Sequence, residues 1–257
     1  MEMKNKNILI IGASGGIGES LVKLLKDDNN LILTGRKFTN DFSDLKLLTH
    51  HLDISNKESI YTLSEKILKL DIKLDGIIFN AGINHFRKIE HTLVDDIQEI
   101  INVNLIGCIL TNKILLKNLK PESFICNISS ALGDIGMPGY SVYGASKAGI
   151  KLFSQSLRRE LSDTNIKVTY FQPRSVLTNM NSHDIVQMNN ELGNTTDLPD
   201  LVAQKIIKSI IKDKSGIFSQ PEKFFSIINH IFPKIVDNDF RKKLNIINKF
   251  LKNGFKI

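Results

Sequence analysis

An apolar pentamer, Asn7-Ile8-Leu9-Ile10-Ile11, runs straight into Gly12-Ala13-Ser14-Gly15-Gly16-Ile17-Gly18, and Leu21, Leu24 and Leu25 then follow at helical spacing. Few folds accept that order. A continuous run of branched aliphatics predicts a strand buried on both faces, which parallel sheets provide. Glycines in the turn after it let the backbone approach a ligand closely, and a helix starting there presents free amides and the positive end of its dipole. A pyrophosphate suits such a place. Gly12, Ser14, Gly15, Gly16, Ile17 and Gly18 are therefore candidate dinucleotide contacts, against the plainer reading of a tight turn of small residues.

The alternation of strand and helix continues. Further short apolar runs predict strands at residues 31–34, 47–52, 76–79, 124–128, 168–171 and 216–219, with helical spacing at 57–70, 93–119, 143–161 and 197–212 between them. The expectation is one α/β domain over all 257 residues: a doubly wound, Rossmann-type, mostly parallel seven-stranded sheet flanked by helices. From Pro221 onward the tail reads as two or three short helices broken at Pro233. Phe240, Leu244, Ile247 and Leu251 share one face there, with Lys242, Lys243, Lys249 and Lys252 elsewhere. Such a basic amphipathic tail packs on its own subunit, meets a partner, or lies weakly on an anionic membrane.

Net charge is +7, but all but six of the 34 basic residues are lysines, scattered rather than blocked. That pattern suits anionic ligands and argues against nucleic acid. Cys108 and Cys126 lack C-x-x-C or metal-ligand spacing, so reduced buried thiols are expected, with neither a disulfide nor a metal. No leader peptide and no apolar run of the 18 or so residues that cross a bilayer stand out, and the expected location is the cytoplasm.

The strand ends carry the chemistry. Residues 31–34 lead to Gly35-Arg36-Lys37, where an NAD site would offer a carboxylate to the ribose 2′-hydroxyl. Two cations there favour a 2′-phosphate, hence NADP(H) over NAD(H), unless both are simply solvated. The crossover from Arg36 to Asp53 leaves room for only a short helix. Asp53 either accepts from an adenine amino group or caps the helix beginning near Asn56. Asn80-Ala81-Gly82 would let a strand end pass beneath a ribose. Asn104, inside an apolar helix with Asn102, is either a satisfied core amide or part of a polar relay.

The strand at 124–128 delivers Ser129 and Ser130 to its carboxyl end, and residues 133–139 turn Tyr143 back over it. Tyr143 and Lys147 are four apart, so on a helix they share a face. Moving a phenol from pKa ~10 to ~7 takes roughly 4 kcal/mol. One cation at ~4 Å supplies about that at an effective dielectric of ~20. Tyr143 would then be an acid/base and Ser130 the hydroxyl that holds a carbonyl oxygen, although a Tyr-x-x-x-Lys match alone is weak. Residues 179–196 read as a polar loop, a substrate lid whose Met180, Ile185, Met188 and Leu192 line a pocket or pack on the body. His183 within it reads as incidental.

In order and spacing these motifs resemble the short-chain dehydrogenases/reductases, in their single-domain branch, over residues 6–220. The set comprises Gly12-x-x-x-Gly16-x-Gly18, Asp53, Asn80-Ala81-Gly82, Asn104, Ser130, Tyr143-x-x-x-Lys147 and Pro173 with Thr178. The glycine spacing differs from the longer branch of sugar-nucleotide epimerases. The resemblance implies hydride transfer between a nicotinamide and a small or lipid-like carbonyl or alcohol, in a homodimer or homotetramer. Tyr143 would handle the proton, Ser130 would position the oxygen, and Lys147 would bind the ribose and depress the tyrosine pKa. Asn104 would hold a water, and Pro173, Val176 and Thr178 would contact the cofactor. Three departures stand out: Ile11 for the usual threonine, Arg174 for the glycine after Pro173, and no glycine-rich C-terminus of the acyl-carrier-protein ketoreductase kind. Arg174, the short crossover after Arg36 and the unusual tail keep open a second reading, a dinucleotide-sensing regulator with little catalysis.

Overall fold

The computed structural model describes residues 2–36 and 48–251, so Lys37, Leu47, Lys252 and the crossover after Arg36 lie outside the described residues. Strands β1 (Asn7–Ile11), β2 (Asn30–Gly35), β3 (Leu48–His51), β4 (Leu74–Phe79), β5 (Leu119–Ile128), β6 (Lys167–Gln172) and β7 (Gly216–Ile217) form one seven-stranded sheet. Its order is β3-β2-β1-β4-β5-β6-β7, and every neighbouring pair is parallel.

The period of two in β1 sorts its side chains between two cores. Leu9 and Ile11 pack with Ile60 and Leu63 of α2 (Lys57–Lys69), Cys108 of α4 (Gly107–Leu115) and Ile150 of α5 (Ser141–Glu160). Ile8 and Ile10 face the other way, onto Leu21 and Val22 of α1 (Gly16–Leu25) and Val202 and Ile206 of α7 (Pro199–Lys212). Each such buried aliphatic contributes about 1.5–3 kcal/mol, and burial on both faces explains why these strands read as unbroken apolar runs. The chain leaves β1 for β2 and β3 on one side and returns to β4 on the other. That reversal opens a crevice at the carboxyl ends of β1 and β4.

The helical run expected over 93–119 is α3 (Val94–Ile100), a π-helical turn (Ile101–Ile106), α4 and a last 3₁₀ turn. In length and composition the stretch Val94–Asn118 suffices to cross a bilayer, at mean hydropathy 1.4, which corrects the expectation that no such run exists. Here it flanks the sheet, half buried, with Cys108 and Leu115 fully inside. The π turn is where Asn104 sits, and such turns recur at functional sites.

The segment read as a loop contains α6 (His183–Glu191), opened by Ser182, whose hydroxyl accepts from the Ile185 amide. Its apolar positions 185, 188 and 192 do follow helical spacing, but the surrounding asparagines hid it. Of the four residues expected to line a pocket or pack on the body, Met188 packs on the body, while Met180, Ile185 and Leu192 border the cavity described below. The tail is two helices, α8 (Gln220–Ile231) and α9 (Pro233–Phe250). Ile247 and Leu251 turn inward and form a third core with Tyr140 and Met188, so the tail's apolar face packs on its own subunit. Leu244 of the same expected face stays exposed.

Candidate active site

A cavity of about 770 Å³ runs along the carboxyl ends of β1, β4, β5 and β6. At its centre the ends of β1 and β4 are drawn together. Gly12 adopts φ +81, and a β-carbon on it would lie 2.7 Å from the Ala81 nitrogen. Asn80 holds the contact closed, donating its side-chain amide to Gly12 O and its backbone amide to Ile11 O, both at 2.9 Å. Asn80, Ala81 and Gly82 all border the cavity, as do Gly12, Ser14, Gly15, Gly16 and Ile17. Gly18 does not: a β-carbon there would run into Gly12 O and Ala13, so this glycine lets α1 pack beneath its own turn.

This cradle fits a dinucleotide. α1 starts at Gly16 with no side chain capping its first amides, which leaves them for an anion. A β-carbon on Gly16 would meet the Thr178 methyl at 2.9 Å, so the turn and the segment after β6 close on the same space. Pro173, Val176 and Thr178 border it there, and Arg36 and Asp53 border its far end. Arg36 is exposed. Asp53 does not cap α2; Asn56 does, accepting from the Glu58 and Ser59 amides. The Asp53 carboxylate instead accepts from the Ser55 hydroxyl at 2.6 Å and amide at 2.9 Å. The hydroxyl bond, with the Arg36 charge adding to it, holds Asp53 below the usual carboxylate range.

Helix α5 brings the remaining expected residues to this crevice. Ser130 and Tyr143 border it together, with the Ser130 hydroxyl near enough to the phenol to favour its charged form. Lys147 is buried one turn on, donating Nζ to Ile128 O at 3.1 Å. Asn104 lies beside it across Gly82, whose β-carbon would meet Lys147 Nζ at 3.2 Å and Asn104 Oδ1 at 3.3 Å. The Asn104 side chain is satisfied: Oδ1 accepts from Ile83 N at 2.8 Å, and Nδ2 donates to Ile83 O and Ser146 Oγ, each at 3.0 Å. Both of its donors are committed, so it braces the ends of β4 and α5.

One expectation is overturned. The Lys147 ammonium sits 5.7 Å from the centroid of the Tyr143 ring, turned toward the sheet end, and does not pull the phenol down. Burial pushes Tyr143 up to about 12, with the nearby Ser130 hydroxyl opposing it, and burial pushes Lys147 down to about 8. Desolvation outweighs attraction at this separation. The arrangement therefore holds a protonated phenol beside a serine hydroxyl at the lip of the crevice. A pair of this kind can give a proton to an oxygen placed between them.

Other residues of the site had little signal in the sequence: Arg174 stood out only as a departure after Pro173, Phe240 only as part of an apolar tail face, and Leu132, Tyr140 and Phe225 not at all. Arg174 donates to Asp197 at 2.6 Å and pairs with Glu222 of α8 at 3.7 Å. Burial disfavours the Asp197 charge, yet bonds from Arg174 and Lys205 hold its pKa low. Leu132, Tyr140, Phe225 and Phe240 border the cavity beyond Tyr143. His85, Asp96 and Glu99 approach one another within 4.8 Å, but Arg87 takes Asp96 at 3.2 Å.

A family model described as short chain dehydrogenase matches residues 6–189. Carbonyl reductase family member 4 of Xenopus laevis is 31% identical over 213 residues, covering 79% of this chain and 90% of the relative. Mouse mitochondrial D-beta-hydroxybutyrate dehydrogenase is 33% identical over 183 residues, 65% of this chain and 53% of that protein. Among solved structures, a short chain dehydrogenase from Burkholderia cenocepacia in complex with NADP superposes with a TM-score of 0.79 at 16% identity, covering 93% and 99% of the two chains. One from Burkholderia phymatum in complex with NAD gives 0.80 at 15% identity, covering 91% and 96%.

Burying Lys147 has a measurable consequence. Its folded pKa lies below the unfolded value, so the unfolded chain binds more protons between about pH 8 and 10.5 and wild-type stability gains across that window. Lys147→Met is expected to be more stable than wild type at pH 7 in urea unfolding, by a margin that shrinks above pH 8. A margin independent of pH would show that the lysine is not desolvated.

Proposed function

This chain belongs to the short-chain dehydrogenase family and is an oxidoreductase, and we propose that it moves hydride between NADP(H) and a carbonyl or secondary alcohol carbon. The observation that carries the reading is the pairing of Tyr143 with Ser130 at the crevice lip. When bound, the nicotinamide cofactor supplies or accepts the hydride. Tyr143 and Ser130 act on the substrate oxygen. Ser130 donates to it and fixes its place, and Tyr143 transfers its proton as negative charge grows there. A phenol protonated at neutral pH can give its proton to the oxygen of a carbonyl being reduced and take it back in the reverse reaction.

Lys147 lies one helical turn from the phenol and, once a ribose borders it, holds a hydroxyl and passes on the replacement proton. Asn104 keeps Lys147 and Gly82 in register. Preference for NADP(H) rests on Arg36, an exposed guanidinium bordering the adenosine end, with NAD(H) as the weaker cofactor. Regulation without turnover is the second reading. Arg174 no longer favours it, because its charge is spent on Asp197 and Glu222.

Leu152 and Ile106 stand exposed on neighbouring elements, which supports a homodimer or homotetramer readable by light scattering. For the tail we propose a weak membrane-surface contact, moved from the inward face of α9 to Ile227, Ile231, Phe232 and Ile235, all exposed, with Lys223 and Lys234 among them. Two free, buried thiols at Cys108 and Cys126 suit a reducing compartment such as the cytoplasm.

Co-sedimentation with vesicles rich in anionic lipid is expected to fall when Ile231 and Phe232 are both changed to Ser, and equal sedimentation would remove the membrane contact. For catalysis, Tyr143→Phe should leave NADPH binding near wild type and lower kcat by about 10²–10⁴. Arg36→Glu should weaken NADPH far more than NADH. Wild-type turnover in the first variant would take Tyr143 out of the mechanism, and unchanged cofactor preference in the second would take Arg36 out of selectivity.

A further inference from the structure

The family match ends at residue 189, yet the cavity does not. Leu192 at the end of α6, Phe225 of α8 and Phe240 of α9 continue its wall, facing Leu132, Ile135 and Tyr140 from the matched part. Phe240 and Leu192 pack into the same cluster as Tyr143, so the apolar surface begins beside the phenol itself.

Both tail aromatics are held in place. Next to Phe225, Ser226 donates to the Asp134 carboxylate at 3.0 Å, and Asn229 donates to Asp134 O at 2.9 Å. Asp134 is itself pinned by Lys151 at 2.7 Å and by Gln172 at 3.1 Å. Phe240 rides on α9, which is anchored by buried Ile247 and Leu251 and by Lys249 to Glu191 at 2.8 Å. Gly139 lets Leu251 in, since a β-carbon there would lie 2.7 Å from its methyl.

The charges that the tail brings to this end of the cavity are paired. Lys243 binds Asp239 at 2.7 Å, and Glu222 faces Arg174, which Asp197 already holds. Apart from Lys147 at the reacting centre, the described cations bordering this end, Arg174 and Lys243, each already face carboxylates, with only the buried Arg174 Nε lacking a partner. An anionic substrate would lose its water and meet Glu222 and Asp239.

Building on the carbonyl-reducing reading above, we infer that Phe225 and Phe240 are specificity-determining residues that select a neutral carbonyl compound with a bulky apolar body and turn anionic carbonyls away. The aromatic walls remove the apolar body from water, while Ser130 and Tyr143 take the carbonyl oxygen at the other end. Discrimination between substrates then lies in the tail rather than in the family-matched core.

The test is kcat/KM with NADPH for methyl ketones from 2-butanone to 2-undecanone, and for a keto acid matched in length to the longest. The wild-type value is expected to climb roughly two- to fourfold per methylene until the chamber is full. The keto acid should fall about 100-fold below its matched ketone. Phe225→Ala and Phe240→Ala should each shrink the advantage of 2-undecanone over 2-butanone by roughly tenfold, Phe225→Leu should restore most of it, and Phe224→Ala, on the outer side of α8, should keep the wild-type ratio. A flat wild-type series, a keto acid used as well as its ketone, or alanine variants with the wild-type ratio would each overturn the inference. If every ketone is inert, the oxidoreductase reading for these carbonyls fails separately. Thermal stabilisation by 2-undecanone, expected for wild type and lost in the alanine variants, still decides whether these two rings hold an apolar ligand.

Discussion

The seating of α5 on the end of β5 is the contact on which the site depends. Ser129 Oγ donates to Lys147 O at 2.6 Å, Asn127 Nδ2 donates to Ser154 Oγ at 3.0 Å, and Lys147 Nζ reaches Ile128 O at 3.1 Å. Gly133 lets the turn after β5 lie on the helix, since a β-carbon there would come within 2.8 Å of Ala148 N. These contacts fix both the rotation and the height of the helix. One residue of rotational slip, about 100°, would carry Tyr143 away from Ser130. The three neutral side chains in these contacts, Ser129, Asn127 and Ser154, cost little in stability once partnered while specifying one arrangement, whereas a purely apolar seam would permit several.

Two other junctions share this logic. At the crevice floor, Gly12 and Ala81 approach so closely that only a glycine fits, and Asn80 clamps the strands on either side of the topological switch. At the outer end, Asp134 joins α5 through Lys151, β6 through Gln172 and α8 through Ser226. The carboxylate lies at the crossing of core and tail, so the apolar chamber and the proton-transfer pair are braced by one group. Buried Lys147 runs against stability, because its charge is disfavoured where it sits, and such a cost is usual where a group is kept for chemistry.

The inner strands were legible because strands buried on both faces must be apolar throughout, while the exposed edge strand β3, Leu-Thr-His-His, gave a weaker signal. All seven were expected near where they stand, although β2 and β5 extend further than their apolar cores. The glycine turn was legible because close backbone approach excludes side chains. Gly18, however, serves packing rather than lining, a distinction that spacing alone does not carry. Tyr143 and Lys147 were legible as neighbours, but their electrostatics were not: four residues on a helix fix a shared face, whereas the pKa depends on depth and on where the ammonium turns. Helix α6 hid behind its asparagines. The tail aromatics gave no sign of their role, since an amphipathic pattern looks the same whether its apolar face meets a body, a bilayer or a substrate. Arg174 and Glu222, 48 positions apart, become partners only through the fold.

The central claim is that one substrate oxygen is shared by Tyr143 and Ser130 at the mouth of a dinucleotide crevice. A crystal structure with NADPH and a long-chain methyl ketone bound to the Tyr143→Phe protein tests it most directly. The account predicts the carbonyl oxygen about 2.7–3.0 Å from Ser130 Oγ and against the edge of the residue 143 ring, with the cofactor's pyrophosphate at the start of α1 and the alkyl chain between Phe225 and Phe240. A ketone whose oxygen points away from Ser130, or a cofactor bound anywhere other than across the ends of β1 and β4, would contradict it.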